Sequence, residues 1–316
     1  MTWAFVFPGQ GSQTVGMGQE LAAAFPAARA VFDEVDDALG QDLSRLMFEG
    51  PAETLTLTEN AQPALMAVSL AVVRVLAAEG NVTVPEKAAF VAGHSLGEYS
   101  ALTAADALGL ADCARLLKLR GQAMQAAVPV GAGAMAAVLG LDVAQLEAIA
   151  AEASDNDEIC AAANDNAPGQ VVISGHKAAV ERAVELAKAA GAKRAVLLSV
   201  SAPFHCPLMA PAADRMAAAL AEVAMQSPQV PLMANVTAQA ERDPTQIKSL
   251  LVQQVTGMVR WRESVMALAT AGVGGLVELG AGKVLSGLTR RIDGALTSVN
   301  AGSPAEIEAL LERLNS

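Results

Sequence analysis

The sequence predicts an α/β protein in which a parallel sheet, covered by helices on both faces, is interrupted by a smaller βαββαβ unit. Three observations carry this reading. Of the 316 residues, 53% are hydrophobic and 17% charged, which supplies a large interior and argues against disorder. Aromatic residues are only 3% and alanine is abundant, so helices packed closely on a sheet are favoured over a β-sandwich. Short apolar runs alternate with helix-period segments, the order a parallel sheet requires, except between about residues 128 and 199.

The first element, Trp3–Phe7, reads as a short buried strand stopped by Pro8-Gly9. Helical patterns follow over Ala22–Leu39 and Gln62–Ala78, then a strand over Ala88–Ala92 and a helix directly after Ser95. The next stretch reads as strand Ala134–Leu139, helix Val143–Ala153, strands Ile159–Ala163 and Gln170–Ser174, helix Lys177–Ala190 and strand Ala195–Val200. That order is the ferredoxin-like unit. The expected division is therefore a small subdomain over 128–199 inserted into a large one formed by 1–127 and 200–316. The large fold resumes with strands over Pro231–Asn235 and Gly275–Glu278.

Charge and composition exclude several classes of partner. The formal net charge is −12 and no Lys/Arg-rich block occurs, which argues against nucleic acid and anionic membranes. The opening "MTWAFVFPGQG" lacks the basic flank and apolar length of a signal peptide. The longest uncharged run, Gly121–Leu141, is broken by Pro129 and several glycines, so it reads poorly as a membrane span. Cys113, Cys160 and Cys206 form no CxxC pair, and the three histidines have no metal-ligand spacing. The expectation is a cytoplasmic monomer without a structural metal.

The chemistry is concentrated in "AAFVAGHSLGEYSALTAADAL", residues 88–108. Gly93-His94-Ser95-Leu96-Gly97 at a strand-to-helix junction is a nucleophile elbow, whose glycines permit a tight turn that lifts the hydroxyl clear of the sheet. The amides of the following helix help to hold a developing oxyanion. A serine hydroxyl needs a base at neutral pH. His94 is adjacent in sequence and starts off in another direction, so shaping the turn is its simpler role. His176 opens a helix of the small unit. His205, in "SVSAPFHCPLMAPA", sits between Pro203 and Pro207 on a pinned loop and is the best base. Its neighbour Cys206 reads as a small buried residue.

A second signal lies in "ADCARLLKLRGQAMQAAV". Helical spacing puts Cys113, Leu116, Leu117, Ala123, Met124 and Ala127 on one apolar stripe, and Arg120 falls inside it. A guanidinium keeps its charge and must meet an anion, either a protein carboxylate or that of a substrate.

These motifs resemble those of the malonyl-CoA:acyl-carrier-protein transacylase family of fatty-acid synthesis. The matching segments are "FVFPGQGSQ", "TENAQPAL" (58–65), "GHSLGEYSAL" (93–102), "RGQAMQ" (120–125), "NDNAPGQVVISG" (164–175), "SAPFHCPLM" (201–209), "NVTA" (235–238), "VQQVTGMVRW" (252–261) and "ELGAGKVLSGL" (278–288). They occur in the family's order over essentially the whole chain. The resemblance implies an α/β-hydrolase-like large subdomain and a ferredoxin-like small one.

It further implies that Ser95 accepts the acyl group, His205 is its base, and Arg120 binds the malonyl carboxylate. The amides of Gln10 and Leu96 would form the oxyanion hole. The carbonyl of Gln254, or of its neighbour Gln253, would orient the histidine. Asn166, Gln62 and His94 match positions near the pocket, and Phe204 resembles the aromatic of malonyl-selecting relatives. No permanently bound cofactor is implied: malonyl-CoA is substrate, and the acceptor is the phosphopantetheine of the acyl carrier protein. That carrier is acidic, which makes Lys188, Lys193, Arg194, Arg290 and Arg291 candidate docking points.

Three rival functions predict something different. A serine esterase or thioesterase explains the elbow and His205 but leaves Arg120 and the inserted unit without a role. A free-standing acyltransferase of a polyketide pathway shares all the motifs. A catalytically silent carrier-binding module would be free to lose Ser95, His205 or Arg120.

Overall fold

In a computed structural model, residues 1–198 and 200–315 are described. The central strand β1 (Trp3–Phe7) is buried along its whole length, which is why it reads as a continuous apolar run. The helices α1 (Gln19–Ala24) and α2 (Pro26–Leu39) replace the single helix expected over Ala22–Leu39. Proline at 26 lacks an N–H and pushes Phe25 into the extended region (φ −127°), so one helix ends there and the next begins.

Short helices α3 (Leu43–Glu49) and α4 (Ala52–Thr56) lead into α5 (Thr58–Gly80). That helix is long and apolar enough to cross a membrane, but 78% of its apolar window is buried inside the protein, as in a core helix. After α6 (Val84–Lys87) come β2 (Ala88–Gly93), α7 (Gly97–Ala104) and α8 (Leu110–Ala127).

The next six elements are β3 (Gly133–Leu139), α9 (Val143–Ala153), β4 (Cys160–Ala167), β5 (Gln170–His176), α10 (Lys177–Ala189) and β6 (Arg194–Leu197). They form an antiparallel sheet of order β4-β5-β3-β6 with its own apolar core. A capping box between Asp142 and Gln145 starts α9. The last strand stops short of the expected Val200, and Ser199 lies outside the described residues.

Helix α11 (Ala210–Glu222), strands β7 (Leu232–Met233) and β8 (Ala240–Glu241), and helices α12 (Pro244–Thr256) and α13 (Trp261–Thr270) return the chain to the large sheet. It is completed by β9 (Gly275–Leu279), α14 (Val284–Ile292), β10 (Thr297–Ala301) and α15 (Pro304–Asn315). Its order is β10-β9-β1-β2-β7-β8, and every pairing but β7·β8 is parallel.

Two features position the site. Phe7 pairs with Gly93, so the loops leaving β1 and β2 emerge side by side at the carboxyl edge of the sheet, where open α/β sheets bind ligands. The small sheet is fastened over that edge. Asn164 bridges Val259, backbone hydrogen bonds run from Asp165 to Val259 and from Val259 to Ala163, and Arg262 Nε and Nη2 each lie 2.8 Å from Asp165 Oδ2.

Candidate active site

The turn between β2 and α7 is built for close approach. A Cβ on Gly93 would lie 1.9 Å from the Gly97 carbonyl, and one on Gly97 would lie 2.2 Å from the Phe7 oxygen. Ser95 between them has φ +53°, a left-handed conformation that a side chain adopts only when its surroundings enforce it. Asn235 supplies part of that enforcement. Its Oδ1 accepts from Ser95 N at 2.8 Å and its Nδ2 donates to Gly93 O at 2.7 Å, so one amide spans the turn.

Ser95 Oγ lies 2.7 Å from His205 Nε2, and His205 Nδ1 lies 2.8 Å from the backbone oxygen of Gln254. A carbonyl only accepts, so Nδ1 carries the proton and Nε2 is left as the acceptor facing the hydroxyl. It is the carbonyl of Gln254, not that of Gln253, that the ring meets; the Gln253 side chain bonds Ser249 at the surface. His205 also has positive φ, +57°. Burial, followed by the nearby Arg120 charge, pushes its pKa down to about 3, so the imidazole is neutral at physiological pH.

The other two histidines stand apart from this pair. His176 accepts from Ile159 N in the small sheet, whereas His94 Nε2 donates to Asn166 Oδ1 at 2.8 Å across the cleft. Burial lowers the His94 pKa. Cys206 is buried with its thiol on Pro203 O, away from the serine.

Arg120 enters from α8 with 1% of its surface exposed. Its Nη1 donates to Gln62 Oε1 at 2.7 Å, and its Nη2 donates to Gln254 Oε1 at 2.9 Å and to Ser95 Oγ at 3.1 Å. All three acceptors are neutral. Among the described residues no carboxylate forms an ion pair with Arg120, and its Nε finds no acceptor. The centre of the Tyr99 ring lies 5.8 Å from its guanidinium carbon, and Glu98 reaches it only across the Gln254 amide. A buried guanidinium facing neutral groups beside a serine hydroxyl is chemically suited to an anionic ligand.

The cavity has a volume of about 360 Å³, and Ser95, His205, Arg120, Gln62, Phe204 and Asn166 all line it. Gln10 and Leu96 line it as well, and among the described residues their backbone N–H groups have no acceptor. Two free amides beside a serine suit an oxyanion. Among the described residues no group of three or more His, Cys, Asp or Glu is placed to hold a metal ion.

The basic candidates are exposed and only partly grouped. Leu139 lies opposite both Gln170 and Arg194, and Arg291 donates to Gln170, so Arg194 and Arg291 share one end of the small sheet. Lys188 is instead paired with Glu185 on α10.

Asn235, Glu98 and Asn164 were not singled out from the sequence. Glu98 had a usable signal: like Arg120 it is a charge in an apolar helix, three residues after the serine. It is 1% exposed, and burial raises its pKa to about 8 against the pull of Asn235, Gln254 and Arg120. Asn235 and Asn164 had none, because an asparagine after a strand reads as an ordinary turn residue.

Comparison with known proteins places this geometry in company. The family model described as Acyl transferase domain matches residues 4–313. The malonyl CoA-acyl carrier protein transacylase of Escherichia coli (strain K12) is 48% identical over 310 residues, spanning 98% of this chain and 99% of that one. Among solved structures, an acyl-carrier-protein-S-malonyltransferase from Bartonella henselae matches with a TM-score of 0.97 at 57% identity, with 100% of each chain covered. A malonyl-transacylase solved in complex with its type II PKS acyl-carrier protein matches at 0.95 and 45% identity, covering 99% of this chain and 100% of that one.

Proposed function

The chain belongs to the acyl transferase domain family, and from that premise we infer that it is a malonyl CoA-acyl carrier protein transacylase serving fatty-acid chain extension. It moves the malonyl group from malonyl-CoA to the phosphopantetheine thiol of acyl carrier protein. The observation that supports this most is Arg120: a buried cation with no carboxylate partner among the described residues, 3.1 Å from Ser95 Oγ. A hydrolase of neutral esters has no use for it.

In this reading His205 Nε2 takes the Ser95 proton as Oγ attacks the malonyl thioester carbon. The carbonyl electrons move onto oxygen, which the Gln10 and Leu96 amides stabilise. Collapse breaks the C–S bond, and the departing CoA sulfur receives the proton from His205. The carrier thiol then attacks the malonyl-serine ester, giving its proton to His205, and Ser95 leaves as an alcohol with that proton. The result is ping-pong kinetics. Gln254 orients His205 by its carbonyl and Arg120 by its side chain. Gln62 holds the other arm of Arg120, and the Asn166–His94 pair shapes the wall opposite the serine.

The remaining features of the reading are narrower. The enzyme carries no resident cofactor, works as a cytoplasmic monomer and binds neither nucleic acid nor membrane. Arg194 and Arg291, at one end of the small sheet, are the best anchors for the acidic carrier. Phe204 excludes an α-methyl group. The resemblance to a transacylase solved with a PKS carrier keeps one second reading open, in which the acceptor belongs to a polyketide pathway.

Intact-mass spectrometry after brief exposure to malonyl-CoA tests the proposal, with Ser95→Ala beside it. The expected result is a malonyl adduct on the native chain alone, discharged by pantetheinylated carrier. An adduct lost equally fast in buffer would mean a hydrolase. Preferential discharge by a polyketide carrier over a fatty-acid one would favour the second reading.

A further inference from the structure

Beneath the serine lies the buried carboxyl of Glu98, which the transfer chemistry does not use. Both of its oxygens are engaged by the residues that aim the reacting groups. Oε2 of Glu98 accepts from Nε2 of Gln254, and Oε1 accepts from the backbone N–H of Asn235 at 3.3 Å. Gln254 is completely buried and faces two ways: its backbone oxygen holds His205 and its side-chain oxygen holds Arg120. Its Nε2 also reaches Ser95 O at 3.0 Å and Asn235 Oδ1 at 3.2 Å.

We propose that Glu98 is a positioning residue of the transfer reaction, fixing the Gln254 amide so that its oxygen faces Arg120 and the Gln254 carbonyl faces His205. The inference rests on the malonyl-transfer reading given above. The reasoning turns on donor and acceptor identity. Arg120 can only donate, so the amide must present oxygen to it and N–H to the opposite side. On that side the acceptor is a carboxyl oxygen of Glu98. With the amide reversed, N–H would face the guanidinium and oxygen would face the carboxyl, and both contacts would be lost. Glu98 thus reports to three reacting groups at once: Arg120 and His205 through Gln254, and Ser95 through Asn235.

A glutamine at 98 has nearly the same shape, but one of its two terminal positions is an NH₂ that only donates, so it cannot receive Gln254 Nε2 on one side and Asn235 N–H on the other as Glu98 does. The test is a double-mutant cycle on the full-length enzyme with Glu98→Gln, Gln254→Ala and both together, measured with malonyl-CoA and acetyl-CoA and a carrier acceptor. Gln254→Ala keeps the backbone carbonyl on His205 and removes only the amide. Glu98→Gln should lower malonyl kcat/KM about 10- to 100-fold, the scale of an ångström-level misplacement, and should lower the malonyl-to-acetyl preference with it. In the Gln254→Ala background the same change should add less than about threefold.

Kinetics are normalised to the fraction of enzyme that forms the acyl adduct, so that a purely structural role would alter that fraction and leave kcat and preference unchanged. That result, or effects that multiply in the double variant, overturns the proposal. If Glu98→Gln does not fold, Glu98→Asp carries the same expectation, because it keeps the acceptor but draws it back by one methylene. Wild-type enzyme that forms no malonyl adduct would instead sink the functional reading itself.

Discussion

On the large-sheet side of the cleft, Arg120, Gln62, Gln254, Glu98 and Asn235 are all buried, and each hydrogen-bonds to another member of the set or to Ser95. On the small-sheet side, Leu198 and Val200 line the same cavity while each keeps 36% of its surface exposed. Asn166 reaches across that gap with a hydrogen bond to His94. The first wall fixes charges and protons in one geometry; the second provides shape and an apolar edge. Substitutions in the first should change the chemistry, whereas those in the second should change which molecules fit or how firmly the wall is held.

The sharpest test of that division is His205→Ala. Removing the imidazole that touches Ser95 Oγ should lower malonyl transfer about a thousandfold, read as kcat in a steady-state assay. A loss of less than tenfold would mean that the large-sheet wall does not carry the proton transfer.

Arg120→Ala comes next. Malonyl kcat/KM should fall about 100-fold and acetyl transfer should gain in relative terms, because a bidentate partner for the free carboxylate is lost. The pH profile should move too. Burial is the larger cause of the low His205 pKa and Arg120 the second, and both favour the neutral base. The native enzyme should therefore show no His205 limb near pH 6.5, while the variant's acid limb should shift upward. Stability carries the matching sign. Below about pH 6.5 the unfolded chain takes up this proton and the folded chain does not until about pH 3, so the contribution of His205 to stability is lost as pH falls through that window. An unmoved acid limb in Arg120→Ala would separate the two groups electrostatically.

These two walls were not equally readable in the sequence. The elbow was legible because the spacing of Gly93, Ser95 and Gly97 has a steric reason that the 1.9 and 2.2 Å approaches make explicit. Arg120 was legible because a charge inside an apolar stripe breaks a pattern. The expected parallel sheet and the βαββαβ order also match the observed topology. Asn235 and the Asn164–Val259 bridge were not legible, since their roles depend on which distant segment folds against them. The strands β8 and β10 were missed for a related reason: β8 has two residues, and four of the five residues in β10 are only half-buried, so neither leaves an apolar run.

The attachment of the small sheet can be broken without touching the chemistry. Arg262→Ala leaves Asp165 buried without its ion partner. Breaking a fully buried pair costs about 3–5 kcal/mol, but Arg262 keeps a quarter of its side chain in water, so a loss of about 2 kcal/mol is expected in denaturant unfolding. Malonyl transfer by the folded fraction should remain near normal at low temperature. A large fall in kcat with unchanged stability would mean that this ion pair positions the catalytic groups rather than the wall.

Phe204→Ser should produce the smallest effect and probes the boundary between the walls. Phe204 is buried and lines the cavity one residue before the base, so it belongs by sequence to the chemical side and by function to the shape side. Replacing the ring with a hydroxymethyl group opens room for an α-methyl substituent, and a group of that size is worth about 1–3 kcal/mol of discrimination in a fitted pocket. Methylmalonyl-CoA turnover should therefore rise about tenfold relative to malonyl-CoA, while malonyl transfer falls less than threefold because Ser95, His205 and Arg120 stay in place. If malonyl transfer collapses instead, the ring is needed to hold His205 at its positive φ, and Phe204 belongs with the large-sheet wall. If neither substrate responds, the α-carbon of the acyl group lies away from this ring and selectivity must come from the Asn166 side of the cleft.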